Sequence, residues 1–235
     1  MKNLSVGEIV AGNFATAAVF SKYGIDFCCH GDASLSQACK DAGLNTDEVE
    51  QALRQIHLDQ QHGFSSWPLD LLIDYVLKIH HRGIRRNGPE ILVLMNQVLA
   101  VHGEAHPELL ELHGLFVESL KDLESHLQKE ENVLFPYLQE LFAASEEGHT
   151  LEQMHCGTVK NPIRVMRMEH EGEGDRYHRI SELTHGFSTP ADGCGSFRLL
   201  MERLKIFVND LYEHIHLENN IIFPLAVALE EKWVD

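Results

Sequence analysis

The chain has 235 residues, 44 % of them hydrophobic, and a net charge of −17 with His counted neutral. That is enough apolar material for a sizeable core, in one large domain or an ordinary domain with a small companion. The acidity argues against a nucleic-acid backbone as partner, which would need clustered Lys and Arg. No run approaches the roughly 20 apolar residues of a membrane span.

Ser5 and Glu8 have capping-box spacing and predict a helix start. The N-terminus has Lys2 and a mildly apolar stretch to Phe20, but Glu8 and Asn13 interrupt it, and it does not read as a signal peptide. In KYGIDFCCHGD, Gly24 and Gly31 bracket a turn that holds Cys28, Cys29 and His30. Adjacent cysteines are poorly placed for an unstrained disulfide with each other, and five Cys is an odd count. A reducing, cytoplasmic setting fits both. The pair reads equally as buried structural cysteines or as redox or metal-relay thiols. Cys39, Cys156 and Cys194 stand isolated. SLSQACKDAGL and NTDEVEQALRQIHL read as short helices, the second capped by Asn45 or Thr46. Residues 1–58 thus form a small helical domain, and 59–68, DQQHGFSSWP, a linker.

From Leu69 onward the period is helical. One helix starts near Pro68 and runs through LDLLIDYVLKIHHR, with a kink or break expected near Gly88-Pro89 before it continues toward His102. The next carries an apolar stripe of Leu109, Leu112, Phe116, Ser119, Leu123, His126, Glu130, Val133 and Tyr137. A third starts near Asn161-Pro162 and presents Ile163, Met166, His170, Glu173, Tyr177 and Ile180. The last presents Phe197, Leu200, Leu204, Phe207, Leu211, His214, Glu218, Ile221 and Leu225. Steps of three and four mark one face of a bundle helix. Short connections around 103–107, 145–160 and 188–195 predict an all-α, up-down-up-down four-helix bundle over 69–235.

Within those stripes SHLQKEENVLFP, residues 125–136, returns 88 residues later as EHIHLENNIIFP, residues 213–224. His126 and Glu130 therefore match His214 and Glu218. Adding His81 and His170 gives four His spaced 45, 44 and 44 residues apart, about one per helix. In an antiparallel bundle these six groups converge at one level. Burying them unpaired would cost several kcal/mol per charge. Two divalent or trivalent cations would offset that cost, with each Glu bridging the metals and room left for an oxo or hydroxo bridge. Imidazole with carboxylate suits iron, with zinc or manganese as alternatives. His216, two residues from His214, points away from the seam, and His80 is separated from His81 only weakly by periodicity. His102 is a candidate to orient a ligand, His106 and His113 sit near helix ends or off the stripe, and His57, His62, His149, His155, His178 and His185 read as surface.

YGIDFCCHGDASLSQAC and the two His/Glu motifs resemble the iron-sulfur cluster repair di-iron protein family, over nearly the whole chain and in the same order. The resemblance implies a small helical module joined to a hemerythrin-like four-helix bundle with two non-haem iron ions. By motif, His81, His126, His170 and His214 would be terminal ligands and Glu130 and Glu218 bridges, and Cys28 and Cys29 match the family's paired cysteines. His30 departs from the family, where Gly is common, and a neighbouring imidazolium could lower a thiol pKa. The implied function is recovery of iron-sulfur enzymes after nitrosative or oxidative damage, by iron donation from the di-iron centre. The alternatives are reduction of nitric oxide to nitrous oxide at diferrous iron, or sensing or carriage of O2 or NO. Damaged iron-sulfur proteins would be clients, no nucleic acid or membrane would be partners, and a homodimer is left open.

Overall fold

The computed structural model describes all residues except 57–62, 153, 154, 156 and 235. The linker expected at 59–68 therefore falls partly outside the described residues, as do His57, His62 and Cys156. What is described is mostly helical, with isolated β-bridges between Ser5 and Ser34 and between Leu151 and Val234. In chain order the helices are α1 (Val6–Gly12), α2 (Ala17–Lys22), α3 (Leu35–Asp41), α4 (Thr46–Arg54), α5 (Leu69–Tyr75), α6 (Arg82–His102), α7 (Glu108–Lys129), α8 (Phe135–Glu147), α9 (Lys160–Leu183), α10 (Gly195–Leu217) and α11 (Phe223–Trp233). Three π-helical segments, Val76–His81, Glu130–Leu134 and Glu218–Ile222, join α5 to α6, α7 to α8 and α10 to α11. Among the described residues no helix is long and apolar enough to cross a membrane.

The chain divides into two compact units. The first gathers Met1–Asp74, Tyr137–Ile163 and Glu213–Asp235. Its N-terminal part starts where the sequence says: the Ser5 side chain accepts from the Glu8 amide at 3.1 Å, and the Glu8 carboxylate accepts from the Ser5 amide at 2.7 Å. Ser34 caps α3 and Asn45 caps α4. Val6, Val10, Phe20, Leu35, Val49 and Leu53 form its core. Buried Glu230 stitches the rest of the unit. It accepts from the Tyr137 hydroxyl at 3.1 Å, the Val159 amide at 2.7 Å and the Thr158 hydroxyl.

The second unit, Tyr75–Pro136 with Arg164–Tyr212, holds four packed helical arms. Arg85 meets Glu124 and Gly88 meets Leu120, so α6 and α7 run in opposite directions. Asp122 pairs with Arg176 and Glu111 with Arg179, which sets α7 antiparallel to α9. Asp210 meets His80 and Arg203 meets Glu90, which sets α10 antiparallel to α6. Phe207 closes the core against Phe116 and Tyr177, with ring centroids 5.6 and 6.2 Å apart. Gly88 permits close helix approach, because a Cβ there would meet a Leu120 methyl carbon at 2.5 Å. The break expected at Gly88-Pro89 does not occur. Helix α6 runs through Pro89, and the irregular winding lies earlier, at 76–81.

The expected stripes hold up to the π-segments and only in part beyond them, where Tyr137 and Ile221 are buried as expected. Leu109, Leu112, Phe116, Ser119 and Leu123 are buried, as are Phe197, Leu200, Leu204, Phe207 and Leu211. Past Glu130, however, Val133 is 40 % exposed and Leu134 is buried. Past Glu218, Leu225 is 38 % exposed and Ala226 is buried. Each π-turn inserts a residue relative to α-winding and so rotates the helix C-terminal to it. Val133 and Leu225 are therefore not core residues.

Candidate metal centre and thiol loop

Within the second unit, His81 and His126 reach the same carboxylate from two helical arms. Glu130 is fully buried. Its Oε2 lies 3.3 Å from His81 Nε2 and its Oε1 lies 3.1 Å from His126 Nε2. His170 Nε2 comes to 3.1 Å from His126 Nε2. Ligand atoms of His126, Glu130 and His170 fall within 4.8 Å of one another, a cluster that could hold a metal ion. His80 turns the other way, toward Asp210 at 3.1 Å, with its ring edge-on to Tyr75.

The imidazoles are held from behind. His81 Nδ1 is 2.8 Å from Glu131, whose carboxylate also accepts from Arg85 at 2.6 and 3.1 Å. The His81 ring stacks on Phe135 at 5.8 Å. His126 Nδ1 is 2.8 Å from Glu169, which also accepts from Lys129. Burial raises the Glu131 carboxyl, but Arg85 and His81 outweigh it and hold it below its ordinary range. Glu169 is held low by His126, and by Lys129 against the cost of its burial. An ionised carboxylate behind Nδ1 fixes the N–H there and turns the Nε2 lone pair inward, the arrangement metal-bound histidines use. Sequence reasoning missed Glu131, Glu169, Arg85 and Lys129. The available signal was position, since each Glu adjoins a candidate ligand and Arg85 lies one helical turn beyond His81.

Deeper in the same unit a polar chain lies among apolar side chains. The Ser119 hydroxyl donates to Glu173 at 2.7 Å and lies 2.7 Å from the Tyr177 hydroxyl. Burial raises the Glu173 carboxyl against the opposing pull of Ser119 and Arg176.

The first unit carries the second copy of the motif. His214 and Glu218 are fully buried, with Nε2 and Oε1 2.9 Å apart. The cysteine loop lies on the next turn of this segment. Asn219 donates to the Cys28 carbonyl at 3.1 Å, and Asn220 donates to the Phe27 carbonyl at 3.2 Å. Gly7 and Gly31 lack the Cβ that would meet Asn220 at 2.7 and 2.6 Å. His216, fully buried, sits between the rings of Phe14 and Phe27, each 6.0 Å away. It accepts from Asn220 at Nδ1, and burial pulls its pKa down to about 4.

In the loop itself the Cys28 and Cys29 sulfurs are 3.7 Å apart and unbonded. Asp26 accepts from both amides at 2.9 Å, and His30 pairs with its other oxygen at 2.7 Å. The Cys28 thiol is pushed well up by its contact with Cys29, by burial and by the Asp26 charge. The expectation that His30 could activate a thiol fails at Cys28, because Asp26 takes up the imidazole. His102 orients no ligand either. It lies 21 residues beyond His81, about 30 Å along the helix, and meets Cys194. His149, His155, His178 and His185 are exposed.

Two family models match this chain. Residues 2–57 match ScdA_N, described as a domain of unknown function, and residues 72–226 match the hemerythrin HHE cation binding domain. The chain is 30 % identical over 232 residues to proteins named iron-sulfur cluster repair protein YtfE from Yersinia pseudotuberculosis serotype IB (strain PB1/+) and Yersinia pestis (strain Pestoides F). The match covers 97 % of this chain and 99 % of each relative.

Proposed function

The chain belongs to the iron-sulfur cluster repair family, and on that premise we propose that it restores damaged iron-sulfur proteins by donating iron held at a pair of metal positions. His81, His126, His170 and His214 would be the terminal ligands, and Glu130 and Glu218 the bridging carboxylates. The observation that carries this reading is the buried His/Glu pair, present twice. Glu130 and Glu218 are both inaccessible to solvent, and each faces imidazole nitrogen at about 3 Å. A carboxylate buried against ring nitrogens is expensive in an apolar core, and cations among them offset the cost. The donor set of imidazole and carboxylate suits iron.

Bound iron would supply the transferable cation and a one-electron reductant. The protein's own residues do the rest. Glu131 and Glu169 keep the Nδ1 protons of His81 and His126 in place, so that Nε2 stays available to a metal. Arg85 and Lys129 keep those carboxylates ionised and fixed. Cys28 and Cys29 are proposed as the redox or relay thiols. Support comes from their loop, which rests on the turn just after Glu218.

The test is anaerobic purification, metal analysis by mass spectrometry, and incubation with a cluster enzyme inactivated by loss of iron. About two irons per chain, iron loss in step with client recovery, and neither in Glu130→Ala or Glu218→Ala protein are the expected results. Equal recovery with iron-free variant protein defeats the reading. Nitrous oxide formed over many turnovers without iron loss would replace it with an enzymatic one.

A further inference from the structure

The second unit carries another cluster, which the metal proposal leaves unused. Cys194 is exposed and stands at the start of α10, where its carbonyl accepts from the Arg198 amide at 3.0 Å. Its sulfur lies 3.1 Å from Nε2 of His102, the last residue of α6. Ser196 and Phe197 follow Cys194 in the first turn of α10, where backbone amides have no acceptor within the helix. Behind His102 stands His106, which meets Asp192 at 3.2 Å and Glu108 at 2.9 Å. Both imidazoles lie edge-on to Phe197, with centroids 5.4 and 5.3 Å away.

This thiol is therefore one half of a Cys–His dyad set at the positive end of a 23-residue helix. The imidazole and both amides each favour the thiolate. The acidic groups nearby, Asp192 and Glu108, are engaged by His106. The balance brings the Cys194 pKa down to about 7, through the Phe197 amide first and His102 next. Cys28 and Cys39 are the contrast: both are buried, and both thiols are pushed up. Among the described residues no third ligand group comes close enough to Cys194 and His102 to complete a metal site.

We propose that Cys194 is a reactive thiolate, activated by His102, and a site of modification by hydroperoxides. The sulfur attacks one peroxide oxygen, the S–O bond forms and the O–O bond breaks. Sulfur is oxidised by two electrons to the sulfenic acid, and the peroxide is reduced. The departing oxygen takes up the proton that the thiol gave to His102 Nε2 and leaves as water or an alcohol.

The test uses the full chain. Alkylation of Cys194 by iodoacetamide is followed by peptide mass spectrometry across pH, beside N-acetylcysteine as reference. At pH 7 a thiol of pKa about 7 is about 50 times more ionised than one of pKa about 9. Its thiolate is about 10-fold less nucleophilic, so a net gain of about 5-fold is expected. Above pH 10 the order reverses, and Cys194 becomes about 10-fold slower than the reference. His102→Gln shifts the midpoint upward and removes the gain at pH 7. One equivalent of hydrogen peroxide followed by a 1,3-diketone trap labels Cys194 before Cys28 and Cys39. A Cys194 profile that tracks the reference at every pH, a midpoint unmoved by His102→Gln, or trap label absent from Cys194 overturns the proposal.

Discussion

Glu131→Gln isolates the claim that carboxylates behind the imidazoles prepare the metal ligands. The substitution keeps volume and removes charge. Glu131 takes the Nδ1 proton of His81 at 2.8 Å and two guanidinium bonds from Arg85 at 2.6 and 3.1 Å. Oε1 accepts from both His81 and Arg85 Nη1, and Oε2 from Arg85 Nη2. A Gln carbonyl at the first position keeps His81 but turns its amide N–H on Arg85, donor against donor, and the neutral oxygen holds the Nδ1 proton less firmly than a carboxylate does. Loss of such a partner weakens metal binding about 10- to 100-fold, or about 1.4–2.7 kcal/mol. Since one acceptor oxygen survives, the lower part of that range is expected. The metal-free fold should change by less than about 1 kcal/mol, because Arg85 is part-exposed and keeps both bonds to Glu124, at 2.8 and 3.1 Å. The assay is iron retention against a competing chelator, with urea unfolding of the metal-free protein alongside. Glu124→Gln is the control, as it touches Arg85 but not His81. Retention within 2-fold of the parent for Glu131→Gln, or an equal loss for Glu124→Gln, would refute the reasoning.

Three further outcomes are expected from other parts of the structure. The folded-state pKa of His216 is about 4, against an ordinary value of 6.5, so the unfolded chain binds the extra proton between those limits. Stability from this group is therefore full above pH 6.5 and falls as pH drops toward 4, by on the order of 3 kcal/mol. His216→Phe should flatten that part of the metal-free stability profile, and an unchanged slope would show that other groups set it. In Gly31→Ala the new Cβ would meet the Phe27 carbonyl at 2.7 Å as well as Asn220. A loss of about 1–3 kcal/mol and faster alkylation of Cys28 are expected, and a thiol as protected as before would contradict the close-approach argument. Ser119→Ala takes the hydroxyl from between Glu173 and Tyr177 and should cost about 1–3 kcal/mol by chemical denaturation. A change below about 0.5 kcal/mol would mean that the two groups find each other without it.

The apolar stripes were legible because helix period and burial are both one-dimensional signals. Leu109 to Leu123 and Phe197 to Leu211 needed nothing beyond counting. The same counting failed at Val133 and Leu225, where a π-turn adds a residue that no propensity marks. The candidate ligands were visible because His and Glu on an apolar stripe are costly, and so informative. The acids behind them were not, because Glu131 and Glu169 look like ordinary solvated neighbours. Cys194 was passed over for a similar reason, since its partner His102 stands 92 residues away and only the antiparallel packing of α6 and α10 brings them together. His216 was read as turned away from the seam, but what it packs against could not be read from spacing. Its surroundings, Phe14 and Phe27, belong to the N-terminal part of the chain.

One turn of helix, residues 218–220, presents a buried carboxylate on one side and two amide side chains that grip the cysteine loop on the other. The carboxylate and the anchors of the loop are thus carried by one short stretch of backbone. Any coupling between a cation at Glu218 and the hold of Asn219 and Asn220 on the loop would act equally in both directions.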